Sequence, residues 1–122
     1  MKKIMTLCGL LLLGGAFTCL SLNTAHADTV YGPFHLTGEM VAPYGIHEYT
    51  FSCWGNEITG VLADANGDVD IHVYDSAGNL VASNDGLDWM PFCQWIPPYR
   101  QVYTLQVINR ENYPVQFDLD TN

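Results

Sequence analysis

The stretch Asp68–Asp75 constrains this chain most. Val69, Ile71 and Val73 point one way along an extended backbone, and Asp70, His72 and Tyr74 point the other. A side-chain period of two belongs to a strand with one apolar face; an amphipathic helix repeats its apolar residues every three or four. The pattern returns three times. Ile46–Cys53 sets His47, Tyr49, Phe51 and Cys53 against Glu48, Thr50 and Ser52. Gln101–Asn109 sets Tyr103, Leu105 and Val107 against Thr104, Gln106 and Ile108, and Val115, Phe117 and Leu119 share a face within Pro114–Asp120. Asn66-Gly67, between Ile58–Ala63 and Val69–Tyr74, reads as a tight hairpin turn, because both residues tolerate positive φ. Ser76–Asn79 reads as the turn of a second hairpin into Leu80–Ser83. No helix is expected from Val30 onward. About seven or eight short strands punctuated in this way predict an all-β fold: a small antiparallel, jelly-roll-like β-sandwich.

The N-terminus carries a different signal. Lys2 and Lys3 precede an apolar run from Ile4 to about Phe17, and a polar stretch then closes on Ala25-His26-Ala27. This is the pattern of a signal peptide, with small residues where the peptidase binds, and cleavage is expected after Ala27. The run is too short to span a bilayer comfortably. Residues 1–27 are therefore read as signal and residues 28–122 as one domain. The expected location is secreted or periplasmic, with no membrane insertion after cleavage.

Removing the signal takes both lysines. Arg100 and Arg110 then face all 13 acidic residues of the chain. Such a field repels phosphate backbones and argues against nucleic acid, while favouring cations, basic proteins or uncharged ligands. The signal also takes Cys8 and Cys19, so Cys53 and Cys93 remain as a pair. Two thiols in an oxidising compartment predict one disulfide.

Two constellations could bind a ligand. Asp64, Asn66, Asp68 and Asp70 alternate along a short loop, and oxygen donors at that spacing can wrap Ca²⁺. The helix-flanked calcium loop is excluded, because Val69 stands where that loop needs glycine. The bland alternative is a turn with solvated acids. Trp89, Trp95 and Tyr99 lie among prolines, where rigid aromatic faces can stack on a sugar or a peptide. The alternative there is that the segment closes the open end of the sandwich with Trp54. No nucleophile-elbow motif surrounds Ser52, Ser76 or Ser83, and no enzyme activity is expected.

Gly67-Asp68-Val69-Asp70-Ile71-His72-Val73-Tyr74-Asp75 followed by Gly78-Asn79-Leu80-Val81-Ala82-Ser83 resembles the bacterial pre-peptidase C-terminal domain. His47–Phe51, Gln101–Val107 and Phe117–Thr121 are similar to its other strands, in the same order. His72 departs from the motif, at a position where tyrosine is frequent. The resemblance implies a non-catalytic β-sandwich of the sort appended to secreted hydrolases, with substrate adhesion or calcium among its associations. No attached catalytic domain is expected for this chain. The function expected is a stand-alone module that binds a protein or polysaccharide surface. The alternatives are a periplasmic inhibitor or partner of a basic hydrolase, and a calcium-stabilised surface protein.

Overall fold

The computed structural model describes residues 24–31 and 34–122, with side chains from Phe34 onward. Most of the expected signal peptide, residues 1–23, lies outside the described residues. Among the described residues nine strands are present: β1 (Thr24–Tyr31), β2 (His35–Val41), β3 (Ile46–Cys53), β4 (Thr59–Ala65), β5 (Val69–Tyr74), β6 (Leu80–Asn84), β7 (Phe92–Trp95), β8 (Gln101–Asn109) and β9 (Val115–Thr121). They form a five-stranded sheet in the order β1-β3-β8-β5-β6 and a four-stranded sheet in the order β2-β9-β4-β7. The expected β-sandwich is present. Among the described residues no helix is long and apolar enough to cross a membrane.

Alternation decides what is buried. Tyr49, Phe51, Ile71, Val73, Tyr103, Leu105 and Val107 from the larger sheet meet Val61, Ala63, Val115, Phe117 and Leu119 from the smaller one. Each of these is buried, and a fully buried side chain of this size is worth about 1.5–3 kcal/mol relative to an exposed one. Polar groups at the rim of the core are paired across the layers. Tyr49 Oη donates to Glu39 Oε1 at 2.6 Å, and His47 Nδ1 lies 3.1 Å from the Met40 carbonyl.

The structure corrects the sequence reading in four places. Not every pair is antiparallel: β1 runs parallel to β3, from Thr24↔Ile46 to Tyr31↔Ser52. The expected cleavage point after Ala27 falls inside that strand. Second, β2 is absent from the alternation pattern, because a bulge between Leu36 and Glu39 interrupts its period. Gly38 sits there at φ +70° and its N–H donates to Asp118 Oδ1 at 2.9 Å.

Third, Asn66-Gly67 is not a hairpin turn. β4 pairs with β7 and β9 while β5 pairs with β6 and β8, so this turn crosses from one sheet to the other. Asn66 is held against β9, donating N–H to the Gln116 carbonyl at 3.0 Å and accepting the Gln116 N–H at its Oδ1 at 3.0 Å. Gly67 is needed for space, since a Cβ there would lie 2.8 Å from Val115 Cγ2. The β5–β6 hairpin does form, with Gly78 at φ +86° and Asp75 Oδ1 accepting the N–H groups of Ala77 and Asn79.

Fourth, Cys53 and Cys93 are free thiols, not a disulfide. Both side chains are buried in the core, Cys53 beside Thr59 and Cys93 opposite Val61 on β4. Trp95 packs beside them on Phe51 and Tyr103, with centroids 6.2 and 5.2 Å apart. Burial pushes each thiol up to about 11.

Candidate functional site

The outer face of the four-stranded sheet brings together the residues best placed to bind a partner. Its floor is made by absence of bulk. Gly60 on β4 leaves room for the ring of Phe92, whose Cε1 would lie 3.1 Å from a Cβ at that position. Phe92 also stands directly opposite Leu62. Ile58, Gly60, Leu62, Phe92, Gln94 and Asp120 thereby line a shallow depression of about 290 Å³. Ile58 and Phe92 are 58% and 49% exposed, so a substantial part of their apolar surface remains in water.

Carboxylates flank this trough. Asp64 on β4 is directly opposite Asp118 on β9, and Leu62 is opposite Asp120. Like charges facing each other across strands are unfavourable by roughly 0.2–1 kcal/mol. Asp118 accepts the Gly38 N–H, and Asp120 is paired with the exposed His35. Neither arginine is spent on this face. Arg110 Nε donates to Asp70 Oδ2 at 2.6 Å, and the Arg100 guanidinium lies 4.4 Å above the Trp54 ring.

The residues singled out from sequence are spread across the molecule. Asp64 and Asn66 belong to the four-stranded sheet and the turn after it, where they line a depression with Gln116 and Asp118. Asp70 lies on β5 in the other sheet and is committed to Arg110. Asp68 lies between these groups. Its Oδ1 is buried with no hydrogen-bond partner. Burial, Asp70 and Glu111 push its carboxyl above the usual range against the opposing pull of Arg110. The four oxygen donors are thus divided between two sheets instead of converging.

The aromatic trio separates in the same way. Trp95 packs into the core against Phe51 and Tyr103. Trp89 is exposed near the end of β4, where its carbonyl accepts the Ala65 N–H. Tyr99 is exposed near the start of β4, with its Cα 2.6 Å from where a Gly55 Cβ would sit. Trp89 and Tyr99 therefore lie at opposite ends of the sandwich. Sequence reasoning missed Ile58 and Leu62, because the outward face they share with Phe92 depends on which strands are neighbours. Only the alternation Gly60-Val61-Leu62 hinted that Leu62 points outward.

His72 is the histidine most suggestive of chemistry. Its Nε2 meets Asp85 Oδ1 at 2.5 Å and its Nδ1 meets Tyr74 Oη at 3.4 Å. Ser83 is its cross-strand neighbour, but both ring nitrogens are engaged elsewhere, so neither serves as a base to that hydroxyl.

No family model matches the chain, and no curated protein matches it. Solved structures that resemble it include the following two. One is the pre-peptidase C-terminal domain of collagenase from Bacillus anthracis, with TM-score 0.60 and 13% identity, covering 80% of this chain and 96% of that one. The other is Aeromonas hydrophila PliG, a periplasmic lysozyme inhibitor of g-type lysozyme, with TM-score 0.54 and 16% identity, covering 81% and 99%. At these identities the likeness is one of fold. The chain has a β-sandwich like that of a pre-peptidase C-terminal domain, shared with an inhibitor protein.

Proposed function

We propose that this chain is an exported, non-catalytic binding module that docks a cationic protein on the outer face of its four-stranded sheet. The observation that carries this reading is the Asp64–Asp118 pair beside the Phe92–Leu62 trough. Two facing carboxylates with no arginine beside them favour a partner that brings its own positive charge. The exposed Ile58 and Phe92 offer that partner an apolar anchor. Both structural neighbours are compatible with such a role, and one of them is an inhibitor of a hydrolase, g-type lysozyme. A basic hydrolase is accordingly the first partner to try.

The test uses g-type lysozyme as the probe, measuring both binding and inhibition of cell-wall lysis. Binding is expected to weaken steeply with salt. An Asp118→Lys variant is expected to bind about tenfold more weakly, and Phe92→Ala to dissociate faster. If the protein ignores basic hydrolases and is retained on insoluble polysaccharide instead, the docking reading is wrong. A calcium role has one observation in its favour, the unpartnered buried Oδ1 of Asp68. Melting curves with Ca²⁺ and with chelator that coincide would remove it.

A further inference from the structure

We propose that Asp70, His72 and Asp85 form a binding site for one divalent transition-metal cation, on the opposite side of the sandwich from the docking face. Asp70 and His72 are alternate residues of β5, and Asp85 is the first residue after β6. One imidazole nitrogen and one oxygen from each carboxylate lie within 4.8 Å of one another. Zn²⁺ holds such donors at about 2.0–2.2 Å, so closing around the ion requires shifts on the order of 1 Å. Asp85 is exposed at the head of the loop to β7 and can supply that movement.

Asp70 and His72 are braced from behind. The Asp70 side chain is 2% exposed, and Arg110 holds its Oδ2 at 2.6 Å, leaving Oδ1 to face a ligand. Tyr74 Oη lies 3.4 Å from His72 Nδ1. A proton on Nδ1 would then leave the Nε2 lone pair directed at the site. Tying the second ring nitrogen to an oxygen is the usual way a metal-bound histidine is oriented.

A separate observation indicates that positive charge is short here. Asp68 Oδ1, two residues before Asp70, is buried without a hydrogen-bond partner. Arg110 is the arginine beside this group. A divalent ion at Asp70 would relieve the excess. The imidazole sets the class of metal: an all-oxygen set suits Ca²⁺ or Mg²⁺, whereas a nitrogen donor favours Zn²⁺ and its neighbours. That nitrogen comes from His72. A bound ion would also fasten the loop that carries exposed Leu87 and Trp89 onto β5.

Calorimetric titration of the protein with ZnCl₂ at pH 7.5, with CaCl₂ in parallel, tests the site. One Zn²⁺ per chain is expected, with a melting temperature that rises with its concentration. His72→Gln and Asp85→Asn should each weaken Zn²⁺ binding at least tenfold. Metal-free melting curves of the two variants that match the parent show that both fold. His35→Gln removes the exposed His35–Asp120 pair and should leave Zn²⁺ binding unchanged. Lack of saturable Zn²⁺ binding, undiminished binding by His72→Gln, or loss of binding in His35→Gln would each overturn the proposal.

Discussion

At the end of the sandwich where β3 and β7 stop, the loops are locked by close approach of backbone to backbone. Gly55 lies against Tyr99, Asn56 donates N–H to the Pro97 carbonyl at 2.7 Å, and Asn122 bridges Gly60 and Ile58. At the other end, where β4 and β8 stop, polar and charged side chains do the closing. Asn109 Nδ2 donates to the carbonyls of Val41, Ala42 and Tyr113, and its Oδ1 accepts the Glu111 N–H. Glu111 in turn accepts the Asp68 N–H at 2.9 Å, and Arg110 neutralises Asp70. The first end should therefore be intolerant of added atoms and indifferent to pH. The second should be sensitive to lost polar groups and to protons.

The largest effect expected is Asn109→Ala, which strands several carbonyls at the polar end and should cost about 3 kcal/mol in urea unfolding. A loss below about 1 kcal/mol would mean that water replaces those bonds and that this end is looser than described. The next contrast uses glycines. Gly55→Ala places a Cβ 2.6 Å from backbone and should cost about 2 kcal/mol. Gly67→Ala meets only the side chains of Val115, Glu111 and Tyr113 and should cost about 1 kcal/mol. Reversal of that order would break the comparison.

A smaller effect tests charge at the polar end. The Asp68 carboxyl is raised when folded, so the folded state binds this proton more tightly than the unfolded chain. Stability therefore falls as pH rises from the unfolded through the folded value, and is recovered on acidification. Asp68→Asn should slightly stabilise the protein at neutral pH, with the gain vanishing in acid; a gain that persists there would assign the effect to something other than the proton. Smallest of all is the expected response to reductant. With Cys53 and Cys93 as free buried thiols, dithiothreitol should leave the melting temperature unchanged, and both cysteines should alkylate on unfolding without it. A fall in melting temperature would restore the disulfide expected from sequence and give the backbone-locked end a second fastening.

Much of the strand content was legible because alternation is a local property. Val69, Ile71 and Val73 must face one way whatever surrounds them, and their burial followed from that alone. The β5–β6 turn was equally readable, since Gly78 and Asp75 act within five residues of each other. The candidate face was scarcely visible. Leu62 and Phe92 are far apart in the chain, and nothing in either strand says that they are neighbours.

The amino-acid sequence by itself determined that the chain folds as β-strands, which side chains face inward, and how acidic the domain is. Partnership required the tertiary structure. It alone decided that Asn66-Gly67 joins two sheets, that Trp95 fills the core while Trp89 and Tyr99 lie at opposite ends, and that Asp64 opposes Asp118. The physical reason is that a strand's own backbone sets the period of its side chains, whereas its hydrogen bonds can be satisfied equally well by any neighbour. The packing of the whole core selects among those neighbours.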